Sequence, residues 1–324
     1  MLWVFPGDLN ILHAGFADLD SYFVLAPWIF LFLIPAITMR SFADEIQSGT
    51  LELLKTLPLT IWHIVLGKFF GGFVLVLLAI IPTLVYVYSV HQLGQEVGNL
   101  SYATTLGSFL GLVFLVATYT AVGIFASLLS KNQIVSFLLA LIMAAFLFYG
   151  FDLIAETGLF GVDPYLIQSL SLNEHFQSIS KGVIDTRDLI YFSVLCLIFL
   201  KLAHLRLSEN MQLKTIAGYL LGAVLVIVLS NQLYHRFDLT EDKRYTLSDV
   251  TSDMVGEIDE LMTINVYLKG DFPTEFKRLQ IETRQHLEEL RARNRKIAVR
   301  FIDPADMGEE LVAMGLEPST CLLY

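Results

Sequence analysis

R40-SFADEIQSGTLELLKTLPL-59 is a charged insert between two hydrophobic spans, and its reading decides how the rest of the chain is understood. It is too short for a domain and too patterned for an idle loop. Gly49 reads as a helix stop and Thr50 as the N-cap of a new short helix. Glu52 falls in the first turn of that helix and Lys55 near its end, as the helix dipole favours, and Pro58 closes it. Phe42, Ile46, Leu53 and Leu57 recur at helical spacing and predict one apolar stripe. A small amphipathic element held between membrane spans can pass force between a membrane part and something soluble. The same pattern also fits an interfacial helix that only rests on headgroups.

The 324 residues are 55% hydrophobic and 16% charged, with a mean hydropathy of +0.62, which excludes an ordinary soluble protein and indicates a polytopic membrane protein. The net charge of −11 is uneven, because most Lys, Arg, Asp and Glu residues follow position 235. A polar module therefore follows an apolar one. No basic, aromatic-interleaved stretch points to nucleic acid. The two cysteines, Cys196 and Cys321, argue against a disulfide or a metal site. The opening MLWVFPGDLN has no basic n-region and is not a signal peptide; it reads as the outer tail of a missing span. With the apolar ending C321-LLY-324, it leads to the expectation that both ends are truncated.

Six spans are expected, at about 22–39, 61–90, 102–129, 134–151, 189–205 and 215–233, with kinks at Pro27, Pro35 and Pro82. Arg40, Lys55, Lys131, Arg206 and Lys214 lie in segments on one side, whereas the opposite segments carry mainly acids such as Asp18, Glu96, Asp152 and Glu156. The positive-inside rule then puts the insert in the cytoplasm and everything after residue 234 outside. Gly67/Gly71, Gly107/Gly111 and Gly218/Gly222 are three small-xxx-small pairs that allow close helix approach.

The outer segment S169-LSLNEHFQSISKGVIDTRD-188 predicts an amphipathic helix with Leu172, Phe176, Ile179 and Val183 on one face. Ser171 and Glu174 have capping-box spacing, and Gly182 is a stop. Such a helix could lid a central pathway or lie on lipid. After residue 235 the pattern is that of a soluble domain. A helix at 248–262, a strand T263-INVYL-268, a helix at 271–294 and a strand I297-AVRFIDP-304 make a βαβ unit, too few strands to complete a sheet.

Catalytic patterns are missing from the sequence. There is no G-x-x-x-x-G-K-[ST], no H-E-x-x-H and no G-x-S-x-G, so no catalytic residue, cofactor-binding residue or metal ligand is assigned. The span centres hold almost no ionisable groups, which weighs against an ion-coupled secondary transporter. His63, His91, His175, His204 and His235 show no ligand spacing and read as interfacial packing. Thr83, Tyr86, Tyr119 and Thr120 are candidates for a polar conduit stripe, although such hydroxyls can also bond back to their own helix.

M39-RSFADE-45, G49-TLELLKTLP-58 and L66-GK-68, with H175-FQSISKGVIDTRDLIYF-192, resemble an ABC-2 type permease of the exporter-like class. W3-VFPGDLNILHAGFADL-19 and L25-APWIFLFLIPAITMR-40 are more narrowly similar to the permease of the gliding-motility-associated ABC transporter. L229-SNQLYHRFDLTEDKRYTLS-248 is similar to the start of that system's accessory, substrate-binding-like subunit. The resemblance implies a permease domain at 1–206 lacking its first span, a linking membrane helix at 207–234, and an extracytoplasmic flavodoxin-like α/β domain at 235–324. It makes the insert a coupling element that docks on a separate ABC ATPase subunit, carried by Arg40, Glu45, Gly49, Thr50, Glu52, Leu54 and Pro58. It further implies a second permease copy or homologous subunit, a place in the inner-membrane bilayer, no enzymatic activity in this chain, and a link to gliding motility. A force-transmitting scaffold without solute transport is the alternative.

Overall fold

A computed structural model describes residues 19–93, 101–157, 167–209, 212–230, 236–239, 249–268 and 296–302, with scattered positions between 279 and 294. The chain forms two compact units, 1–240 and 241–324. In the first unit, α1 (Asp20–Thr38) runs through Met39 into α2 (Arg40–Ser48), and α3 (Leu51–Thr56) completes the insert. Helix α4 (Ile61–Ile80) continues through a 3-10 turn at Ile81–Thr83 into α5 (Leu84–Leu93). Then come α6 (Tyr102–Ser127) and α7 (Gln133–Ala145), the latter passing through a π turn (Phe146–Gly150) into α8 (Phe151–Thr157). Helix α9 (Leu172–Ser180), strand β1 (Val183–Asp185), α10 (Thr186–Leu207), α11 (Leu213–Ser230) and β2 (Arg236–Asp238) finish the unit.

Among the described residues, five helices are long and apolar enough to cross a membrane: Asp20–Ser48, Ile61–Gln92, Tyr102–Ser127, Gln133–Ala155 and Thr186–Leu207. The sixth expected span corresponds to α11, whose apolar stretch Lys214–Ile227 is shorter than the others. The prolines are accommodated locally. Pro82 cannot donate to the helical ladder, and the 3-10 turn there is stabilised by the Thr83 hydroxyl, which donates to the Ile80 carbonyl at 2.6 Å. Tyr22 of α1 donates in turn to Thr83 at 3.0 Å, tying the first span to the second.

Helix α6 is the centre of the first unit and packs against α1, α4, α7, α9 and α10. Lipid tails are as apolar as leucine, so burial alone does not hold these helices together; close packing does. At Gly123 a Cβ would fall within 2.8 Å of Thr38 Cβ, so only a glycine lets α1 cross there. Of the three expected small pairs, Gly107/Gly111 makes a close approach, while Gly67/Gly71 and Gly218/Gly222 have nothing within 4 Å of an added Cβ. The predicted helical stripe through Val183 is corrected. Gly182, at φ +82°, ends the turn, and Val183 opens β1, which pairs antiparallel with β2 (Ile184 opposite Phe237).

In the second unit, α12 (Asp249–Gly256) precedes β3 (Met262–Val266), which pairs in parallel with β4 (Ile297–Phe301). The helix expected at 271–294 falls largely outside the described residues, although described positions from 279 to 293 are helical.

Gly123→Leu forces a side chain into the α1–α6 crossing and is expected to cost about 1–3 kcal/mol of stability, as overpacking does. Gly67→Leu, in open surroundings, should change little. Unfolding of both variants in bicelles checks this, and equal stability would contradict it.

Candidate functional site

The insert is built as two short helices around Gly49, whose φ of 74° is the left-handed stop the sequence predicts. Thr50 occupies the N-cap position of α3 but does not cap with its side chain: its backbone is helical, and its hydroxyl lies 2.9 Å from Ser48 Oγ. The carbonyl of Thr50 accepts from Leu54 N at 3.1 Å instead. Leu57 is extended, as a residue before proline must be, so Pro58 ends the element. Thr60 and His63 then start α4 with a reciprocal capping box that sequence reading missed.

The single stripe expected through Phe42, Ile46, Leu53 and Leu57 is corrected to two faces. Phe42 is fully buried and Ile46 packs on the core, but Leu53 and Leu57 are 68% and 48% exposed. Leu51 and Leu54 turn inward in their place. The left-handed residue at Gly49 resets the helical phase, so a 3.6-residue period cannot run across it.

Polar contacts pin this element to three spans. Arg40 Nε donates to Oε1 of Gln133, at the start of α7, at 3.2 Å, and the Gln133 amide donates in turn to Asp44 of α2. Lys68 of α4 donates to Glu45 at 2.6 Å and to the Ser41 carbonyl, and its ammonium sits 4.7 Å from the Phe42 ring centroid. Lys55 donates to Glu209, just past α10, at 2.8 Å. That hydrogen bond and charge hold the Glu209 carboxyl below the usual carboxylate range. Of the residues assigned to coupling, Glu45 therefore faces inward toward Lys68, with Oε2 left unpartnered, and Leu54 packs on the core. Arg40, Gly49, Thr50, Glu52 and Pro58 are exposed, beside Leu53 and Leu57. The contacts of Lys68 and Gln133 with the insert had no local signal in the sequence; their partners lie 23 and 89 positions away.

At the other end, Leu172, Phe176 and Ile179 of α9 are buried against the bare face of α6, where the Phe176 ring comes within 3.1 Å of a Cβ built on Gly111. Ser171 caps α9 by accepting from Asn173 N at 3.2 Å, and its hydroxyl lies 3.0 Å from Asp152 of α8. His175 packs, as expected, and is hydrogen-bonded as well. Its Nδ1 is 2.6 Å from buried Asp188 of α10, its Nε2 is 3.0 Å from the Ser169 carbonyl, and its ring stacks on Tyr191 at 3.9 Å. Helix α9 thus braces α6, α8 and α10 together.

Of the conduit candidates, Tyr86 is 38% exposed and its ring lies 5.9 Å from that of Tyr22. Thr120 donates to Val116 O at 2.7 Å and Thr83 to Ile80 O, both within their own helices, and the Tyr119 hydroxyl is buried without a partner. Among the described residues no group of His, Cys, Asp or Glu could hold a metal ion.

An apolar multi-span bundle with a charged element pinned across span ends defines a multi-pass membrane protein. Residues 9–210 match the ABC-2 family transporter protein model, and the chain belongs to that family; it is a membrane permease of the ABC transporter type. Residues 241–321 match a domain of unknown function, DUF7088. No curated protein and no solved structure matches the chain.

Lys68→Met strips the partner from half-buried Glu45 and should cost about 1–3 kcal/mol, with much of it regained in Lys68→Met/Glu45→Gln. Thermal unfolding of the two variants checks this; a double variant no better than the single would contradict it.

Proposed function

We propose that this chain is the permease subunit of an ATP-driven transporter, and that a separate ATPase docks on the 40–59 insert. The observation that carries the reading is the pinning of the insert to α4, α7 and the end of α10 while Glu52, Leu53, Leu57 and Pro58 stay exposed. An element held this way moves the span ends when it is pushed, whereas a helix resting on headgroups needs no such ties. Nucleotide-driven closure of two ATPase subunits would supply the push.

The contacts also support a sidedness. The insert, Gln133 and Glu209 meet at one end, near Lys131, Arg206 and Lys214, and the positive-inside rule makes that end cytoplasmic in an inner membrane. The pairing of β2 with β1 at the start of α10 supports reading α11 as a sixth span, with the C-terminal unit extracytoplasmic. The parallel β3–β4 pair with helical positions between its strands fits the flavodoxin-like reading of that unit. A second permease copy or homologous subunit completes this reading, as the likeness to ABC-2 permeases implies. The likeness of 3–19, 25–40 and 229–248 to the gliding-motility system supports a role there.

Glu52→Lys with Leu53→Asp alters only exposed side chains and should lower co-purification with the ATPase by about tenfold or more, some 1.4 kcal/mol, at unchanged thermal stability. Undiminished co-purification and stimulated hydrolysis would overturn the docking role.

A further inference from the structure

The β1–β2 ribbon belongs neither to the spans nor to the insert. It has three residues per strand, and an isolated two-stranded ribbon of that size is marginal in water. It persists because β1 is anchored on every side. Val183 is buried, and Asp185, only 1% exposed, caps α10 by accepting from Arg187 N at 3.0 Å while its carboxylate pairs with the Arg187 guanidinium at 2.6 Å. One residue upstream, the left-handed Gly182 presses on the α6 backbone: a Cβ there would lie 2.8 Å from the Ala103 carbonyl carbon. Gly182 N donates to Ile179 O at 3.0 Å, and Ser108 of α6 donates to the Ser180 carbonyl at 3.3 Å. The end of α9, β1 and the start of α10 are therefore locked on α6. Strand β2 is held through them, by the ribbon and by Leu239 N donating to Gly182 O at 3.1 Å. The C-terminal unit begins at Glu241, immediately after.

We propose that the β1–β2 ribbon is a strap that couples the seating of α9 on α6 to the root of the C-terminal unit. Unseating α9 frees β1 and so releases β2. By reciprocity, a load or ligand on the C-terminal unit that pulls β2 away loosens α9. The inference goes beyond the permease reading and needs no ATPase, so its failure would leave that reading standing.

The test uses the full chain in nanodiscs with Cys196→Ser and Cys321→Ser. Ile184→Cys and Phe237→Cys, opposite one another in the ribbon, should cross-link under mild oxidation, and adding Gly111→Leu, which wedges Phe176 off α6, should cut the cross-linking rate at least about fivefold, the low end of coupling between sites. Because Gly111→Leu could disturb the bundle itself, a second arm works from the strap. With Ile179→Cys as reporter, Leu239→Pro together with Ile184→Pro should raise its maleimide labelling rate at least about fivefold. Failure of the pair to cross-link, cross-linking indifferent to Gly111→Leu, or Ile179→Cys labelling indifferent to the broken ribbon would each overturn the coupling.

Discussion

Helix α6 lacks side chains at the places where other elements must come closest, and the rest of the first unit depends on that bareness. At Gly123 it admits Thr38, the last residue of α1 before the insert begins. At Gly107 and Gly111 it admits α9 and the turn at Gly182. Within lipid there is little hydrophobic gain in bringing one apolar helix to another, so backbone proximity and dispersion contacts set the arrangement. One buried helix therefore packs against both α1, just before the insert, and α9.

The charged contacts at the insert have a different purpose from those of a surface ion pair. Lys68 and Glu45 are both only about a quarter exposed, and Lys68 additionally holds the Ser41 carbonyl and lies over Phe42. Removing one partner leaves a poorly solvated charge, which is why the tie resists sliding. Lys55 is as covered as Lys68, but its partner Glu209 is 77% exposed, and salt screens that pair. That bond is present above the carboxyl's unfolded pKa and fades as pH falls through its lowered folded value. The inward tie sets the position of the insert, and the outer one adds a contact to α10 that acid weakens.

Much of this was legible in the sequence, and what was not has physical reasons. Hydropathy placed five of the six expected spans on helices long and apolar enough to cross, Gly49 and Gly182 marked turns because only a residue without Cβ takes a left-handed φ freely, and Ser171 signalled the start of α9. Periodicity failed at Leu53 and Leu57, because the phase restarts at Gly49, and at Val183, because the chain leaves the helix at Gly182. Thr50 sits at the right position with its hydroxyl turned to Ser48, a choice between local partners that spacing does not resolve. Lys68–Glu45, Gln133–Asp44 and His175–Asp188 are tertiary pairs with no local signature. Gly123 escaped notice because no second glycine lies four positions away; its importance comes from Thr38 on another helix. A three-residue ribbon between segments more than fifty positions apart has no period to detect.

The central claim is that α6 and its neighbours link a cytoplasmic insert to a strap on the opposite face. The most direct measurement is sided labelling of single cysteines at Leu53→Cys and Leu239→Cys, both at exposed positions, with a membrane-impermeant maleimide. Leu53→Cys should react only in inverted vesicles and Leu239→Cys only from outside intact cells. Labelling of both from the same side would contradict the account.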